Sequence, residues 1–159
     1  FLETDSEVVV ESMPHTDKTQ DVRFAAEVRA SMPSALQARM HLLSESLSPR
    51  EVKAVTSGCD VFIGTRLHPV VLAVSAGVPS LAVHNAAKVR GFMDHAALGD
   101  WCCLLEAQTP EKLVDRVREL IARRDAVQQH NGENLPRMIR AVDQNLELIE
   151  GVMRARRER

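Results

Sequence analysis

Hydrophobic and polar positions along the chain switch repeatedly between a period of two and a period near 3.6. Glu7-Val8-Val9-Val10-Glu11 reads as a strand, and helical spacing follows from about Lys18 to Met32. A second strand is expected over Arg39-Met40-His41-Leu42-Leu43. Ser48-Pro49-Arg50-Glu51 then announces a helix: Ser48 and Glu51 form a capping box, and Pro49 takes the first helical position, where its missing N–H costs nothing. Val52, Val55 and Cys59 give that helix its apolar stripe. Asp60-Val61-Phe62-Ile63-Gly64 is the third strand, and its nearly unbroken apolar run implies burial on both faces.

Helical signals resume at His68-Pro69 and run to Ser75, with Gly77 ending them; Pro79-Ser80-Leu81-Ala82-Val83 is the fourth strand. A helix from about Ala86 to Leu98 and a short strand over Cys102-Cys103-Leu104-Leu105 come next. Thr109-Pro110 caps a long helix with Leu113, Val114, Val117, Leu120 and Ile121 on one face, and Asn131-Gly132 is expected to break it. A last helix, about 133–153, carries Leu135, Met138, Ile139, Val142, Leu146 and Ile149 along one stripe before a charged tail. Strands alternating with helices at this spacing mean βαβ units, so the fold class expected is α/β with a doubly wound parallel sheet. No internal repeat and no linker divides the chain.

Composition narrows the function. The 159 residues are 45% hydrophobic, enough for a core. Lys and Arg total 20 against 22 Asp and Glu, a net charge of −2, which argues against a general nucleic-acid binder. No apolar run approaches the ~20 residues that span a bilayer. Three cysteines, two of them adjacent (Cys102 and Cys103), give neither a disulfide framework nor a CxxC metal pair, and a cytoplasmic setting fits them. The chain opens on Phe1 without an initiator Met or leader and is read as a piece of a longer protein.

Open α/β sheets bind ligands at the carboxyl ends of their strands. The residues to weigh are therefore His15 and Asp17 after the first strand, Thr65, Arg66, Leu67 and His68 after the third, His84, Asn85 and Lys88 after the fourth, and Glu106 after the fifth. Gly64 allows a close turn at the third strand's end. Arg66 offers a planar fork for carboxylate or phosphate, and His68 sits at a helix N-terminus, where backbone N–H groups attract anions. Lys88, 20 residues on, opens the next helix beside them. The plain alternatives are a salt-bridging Arg66, a solvated Lys88, a packed His68 and a helix-starting Asp17. Joint placement on adjacent strand ends favours an anion site with an acid–base group in it.

Other candidates carry less. His41 lies within a strand, His130 near a helix end, and His95 has no partner at i+4, so no metal-ligand set is expected. Cys102 and Cys103 point to opposite faces of a strand and read as packing. Neither a GxGxxG nor a GxxxxGK[ST] fingerprint is present, which removes the usual signatures of dinucleotide and P-loop sites.

The ordered string Asp60-Val61-Phe62-Ile63-Gly64-Thr65-Arg66-Leu67-His68, Ala73, Gly77-Val78-Pro79 and Lys88-Val89-Arg90-Gly91-Phe92 resembles the polysaccharide pyruvyl transferase family, tightly over about residues 48–98. One departure is His84-Asn85-Ala86-Ala87, where the family often has an aromatic residue shortly before the Lys. The resemblance implies a GT-B architecture of two Rossmann-like domains, with this chain, 1–159, as the C-terminal, donor-binding one and an N-terminal domain missing. It implies transfer of a pyruvyl group from phosphoenolpyruvate to a sugar of a cell-surface polysaccharide or its lipid-linked precursor, with no cofactor and no metal. His68 would be the acid–base group, and Arg66 and Lys88 would hold the donor and stabilise departing phosphate. Gly64, Thr65, His84, His15 and Glu106 would line the substrate site.

Two other readings stay open. One is a GT-B glycosyltransferase domain binding a nucleotide sugar, with Glu106 toward the ribose. The other is a non-catalytic module of the same fold. The terminal helix is expected to leave part of its stripe exposed, or covered by the missing domain or by a second copy in a homo-oligomer. Its Arg154, Arg156, Arg157 and Arg159 read as a solvated tail, with contact to anionic lipid at the inner face of the membrane as the alternative.

Overall fold

The β-branched run Val8-Val9-Val10 forms the first strand of a computed structural model that describes residues 6–11, 18–43 and 47–157. By internal contacts the chain divides into two compact units, residues 1–52 and 53–159. In the first, β1 (Val8–Glu11) pairs in parallel with β2 (Met40–Leu43), Val8 opposite Met40 and Glu11 opposite Leu43. The crossover between them holds α1 (Lys18–Ser31) and the single turn α2 (Ser34–Gln37). Arg39 Nε donates to the Ser6 carbonyl at 2.9 Å, tying the chain ahead of β1 to the chain ahead of β2. The expected capping box is present at α3 (Pro49–Ser57): the Ser48 N–H donates to Glu51 Oε2 at 2.7 Å and the Glu51 N–H to Ser48 Oγ at 3.4 Å.

The second unit holds β3 (Phe62–Gly64), α4 (Leu67–Ser75), β4 (Ser80–His84), α5 (Ala87–His95), β5 (Cys102–Leu104), α6 (Pro110–Ala122) and α7 (Arg124–Arg157). Its sheet runs β3-β4-β5, all parallel, with Gly64 opposite Ala82 and Ala82 opposite Cys102. All pairings of the described strands are parallel, so the chain is a mixed α/β protein of Rossmann-like type, its strands shared between two ladders. All five residues of β4 are buried, which requires cover on both faces. Contacts with α4, α5 and α6 supply it. Leu81, Met93 and Leu120 are almost wholly removed from water, and each such side chain stabilises the core by roughly 1.5–3 kcal/mol.

Helix ends explain most differences from the sequence expectations. Past α4, Gly77 adopts φ +81°, while the Val78 N–H bonds the Ala73 carbonyl and the Gly77 N–H the Val74 carbonyl, the Schellman pattern. The same pattern closes α5: Leu98 N–H to Met93 O at 2.7 Å and Ala97 N–H to Asp94 O at 3.0 Å. The left-handed residue there is Ala97, φ +55°. With no glycine to mark it, the stop was expected three residues later, at Leu98.

The break expected at Asn131-Gly132 falls instead at Arg123, and α7 runs through Asn131, Gly132 and Pro136. Asn131 is buried and donates from Nδ2 to the Val78 carbonyl at 3.2 Å, so a residue typical of turns is used to pin the helix to the turn ahead of β4. Pro136 costs α7 the bond to the Gly132 carbonyl, which the continuous helix tolerates. Beyond Met138, which packs on the core, Ile139, Val142, Leu146 and Ile149 are each more than half exposed. Among the described residues no helix is long and apolar enough to cross a membrane.

Candidate active site

At the carboxyl ends of β3, β4 and β5 the sheet delivers three loops side by side. The first is Gly64-Thr65-Arg66-Leu67-His68. A Cβ on Gly64 would stand 2.6 Å from Phe62 Cε1 and 2.6 Å from Val70 Cγ2 of α4, so only glycine lets α4 start this close to its strand. Arg66 is the N-cap residue of α4, extended at φ −115° and ψ 148°, and His68 is the helix's second residue; both are exposed, as is Thr65. The second loop carries His84, Asn85 and, at the second position of α5, an exposed Lys88. In the third, Glu106 lies exposed in a single 3-10 turn, Leu105–Ala107. His15 and Asp17 lie outside the described residues.

The face of the sheet follows from register. Gly64 and Phe62 are opposite Ala82 and Ser80, so these residues share a face, and side-chain alternation adds His84 to it. The clash between a Gly64 Cβ and Val70 identifies that face as the one α4 covers. Helices α4 and α5 also touch each other, as successive right-handed crossovers in one direction require. Arg66, His68, His84 and Lys88 therefore belong to one face and one end of the sheet.

Two features of this end leave hydrogen-bonding groups unanswered. Neither α4 nor α5 has a side-chain cap: their N-cap residues are Arg66 and Ala86, which offer no acceptor to the first turn. By contrast, Thr109 Oγ1 accepts from the Lys112 N–H at the start of α6. The second feature is His84. It is only 8% exposed, and its Nδ1 is buried without a hydrogen-bond partner among the described residues. Leaving such a group unsatisfied costs about 1–3 kcal/mol. Its burial was not foreseen, since a strand-end histidine looks the same in sequence whether covered or open.

Elsewhere the chemistry is quieter. Burial pushes the Cys102 thiol above its ordinary value, which keeps it protonated and unsuited to attack. His41 Nε2 lies 2.8 Å from Glu7 Oε2, both on the surface. A cavity of about 260 Å³ lined by Leu98, Trp101, Arg123, Val127 and His130 contains none of the residues assigned to the substrate site from the sequence. Arg116 and the cavity-lining Arg123 lie over the Trp101 ring at 5.0 and 5.6 Å, while His130, expected near a helix end, sits inside α7. Among the described residues no three His, Cys, Asp or Glu gather as a metal site would need.

The family model described as polysaccharide pyruvyl transferase matches residues 3–86. The match takes in β1 to β4 and both the Gly64–His68 loop and His84, and it ends two residues before Lys88. It also covers the first strand–helix–strand segment, which lies ahead of the residues, about 48–98, over which the sequence resembles that family tightly. Since the match spans more than half of the chain, the protein belongs to the polysaccharide pyruvyl transferase family.

Proposed function

We propose that the chain forms the donor half of a pyruvyl transferase that moves the pyruvyl group of phosphoenolpyruvate onto two hydroxyls of a sugar, giving a ketal. The observation that carries this reading is the pair of uncapped helix starts at neighbouring strand ends, with Arg66 and His68 on one and Lys88 on the other. Phosphoenolpyruvate brings a phosphate and a carboxylate, the two anions such a cluster of N–H groups and cations suits. Gly64 and Thr65 shape the near wall, and His84 and Glu106 complete the set of proposed substrate-binding residues among those described. The acceptor would enter from an N-terminal Rossmann-like domain facing this one, as in a GT-B enzyme.

The chemistry asks little of the protein beyond a proton and charge. A proton added to the methylene carbon of the enol phosphate leaves the adjacent carbon cationic. A sugar hydroxyl bonds there and gives up its proton. The carbon–oxygen bond to phosphate then breaks, the electron pair leaving with phosphate, and a second hydroxyl closes the ketal as it loses its proton. His68 serves as the acid–base group, and Arg66 with Lys88 holds the donor and takes up charge on the departing phosphate.

The test is to incubate the intact protein with phosphoenolpyruvate and a lipid-linked saccharide, following phosphate release and the ketal methyl signal. Equal release of phosphate and formation of ketal is the expected result. Binding of UDP or GDP in preference to phosphoenolpyruvate, with no ketal, would replace this reading with a nucleotide-sugar transferase.

A further inference from the structure

The least explained atom at this end of the sheet is Nδ1 of His84. Its neighbours on the same strand are satisfied: Ser80 Oγ, fully buried, donates to the Val78 carbonyl at 2.8 Å. The orphan is therefore local, and it occurs where β4 ends, on the face shared with α4 and α5. Three residues later α5 begins, nine residues long, with Ala86 at its N-cap and no side chain bonded to its first turn. Asn85 and Ala87 are exposed and Ala86 half-buried, so short side chains flank the approach. The uncapped start of α5, three residues on, and the unpartnered Nδ1 when it carries the ring proton both suit an oxygen acceptor bearing negative charge.

We propose that His84 is the phosphate ligand of this site: Nδ1–H donates to a phosphate oxygen that the N–H groups at the start of α5 also hold, with Lys88 as counter-charge. Arg66, at the start of α4, is then left to the donor's carboxylate, which its planar fork fits in a bidentate manner. The assignment rests on the donor reading above. It adds a division of the donor between two helix starts and a named atom for the phosphate. It also gives that buried nitrogen a partner.

The test compares His84→Asn, His84→Gln and His84→Leu in the whole chain, by calorimetric titration with inorganic phosphate and with phosphoenolpyruvate. Asn places an amide N–H where Nδ1 stands, Gln places it where Nε2 stands, and Leu fills the space without a donor. Asn is expected to bind both probes within about threefold of the parent, while Gln and Leu lose on the order of tenfold or more, the loss of one hydrogen bond to a charged group. Without ligand, His84→Leu should melt no lower than the parent, because an unsatisfied polar atom has been replaced by an apolar one. A Leu variant that is unfolded or clearly less stable without ligand would make His84 a structural residue and overturn the assignment. So would Leu binding both probes like the parent, or Asn binding as weakly as Leu. The two proposals fail separately. Phosphate binding that depends on His84 in a protein making no ketal would leave the phosphate site and remove the pyruvyl reading. Normal ketal formation with unaltered donor affinity in His84→Leu would do the reverse.

Discussion

Helices α3 and α6 begin with their first-turn N–H groups answered by side chains, and α4 and α5 do not. Both kinds bury their inner positions, Val52 of α3 and Val117 of α6 as fully as Val70 of α4 and Val89 of α5, so packing does not explain the contrast. At α3 the cap is Ser48 with Glu51, and at α6 it is Thr109 with Pro110 at the next position and Glu111 after it. At α4 and α5 the same positions hold Arg66 and Ala86. A cap contributes typically ~1 kcal/mol, so leaving two helices open forgoes stability that a single Ser or Asp would have supplied. The open pair are also the helices that carry the proposed donor-binding cations. Uncapped starts also occur at α2 and at the turn Leu105–Ala107, so what sets α4 and α5 apart is the coincidence of open starts with Arg66, His68 and Lys88 at neighbouring strand ends.

The strongest way to break this contrast is through His68 at the open start of α4. Changing His68→Ala should lower turnover by roughly 10²–10⁴, the usual contribution of a positioned acid–base group. Donor affinity should change much less. Because the side chain is exposed, thermal stability should stay within about 0.5 kcal/mol of the parent. Steady-state kinetics and a melting curve on the same preparation check both halves. A large stability loss at unaltered turnover would make α4 an ordinary helix.

Closing the second open start should move affinity and stability in opposite directions. Ala86 already has the extended backbone of an N-cap residue, φ −128° and ψ 130°, so Ala86→Asp places a carboxylate on the first turn of α5 without backbone change. Stability should rise by about 1 kcal/mol. Donor affinity should fall roughly ten- to a hundredfold, since the introduced charge takes the N–H groups and repels the incoming anion. An Asp variant that gains stability and binds the donor as before would show that the α5 start is not part of the site.

Much of this contrast could be read in the sequence, and the reasons for the gaps are specific. Ser48, Thr109, Gly64 and Gly77 each have a short-range physical role, and the structure uses each as its residue type suggests. The strands were found within two residues because β-branched and apolar runs leave few alternatives. What escaped notice depends on contacts distant in sequence. Asn131 looks like a helix breaker until the Val78 carbonyl, 53 residues away, is seen to hold it inside α7. The stop at Arg123 carries no glycine or proline. The burial of His84 depends on the packing of helices on β4, so its position could be named as a candidate while its unsatisfied nitrogen could not.

Ala97 offers a smaller, purely conformational test of helix-end chemistry. It closes α5 in the left-handed region, where an L-residue pays roughly 1–2 kcal/mol that glycine avoids, although glycine also costs some unfolded-state entropy. Ala97→Gly should therefore raise stability by about 1 kcal/mol, seen as a higher denaturant midpoint with an unchanged slope. Because the change lies at the far end of α5 from Lys88, donor affinity should not move. Gly77→Ala at the end of α4 should do the opposite to stability.

The smallest expected effect belongs to the capped helices and depends on acid. Hydrogen bonds from the Ser48 backbone, then from its hydroxyl, hold the Glu51 carboxyl below the usual glutamate range. A bond from its own backbone N–H, then one from Thr109, does the same for Glu111. A carboxyl whose folded-state value is depressed binds protons more readily in the unfolded chain. Its stabilising contribution is thus present above the ordinary value, about 4.3, and is lost as pH falls through the lower folded value. Both groups are fully exposed at the surface, so the effect is one of slope rather than a large shift. Glu51→Gln with Glu111→Gln should flatten the acid side of the stability profile measured by urea unfolding between neutral pH and about pH 3, while Ala86→Asp should steepen it by adding a third such carboxyl at α5. If the double Gln variant kept the parent's acid slope, the caps at α3 and α6 would not be held by ionised carboxylates, and the distinction between capped and open helices would rest on Ser48 and Thr109 alone.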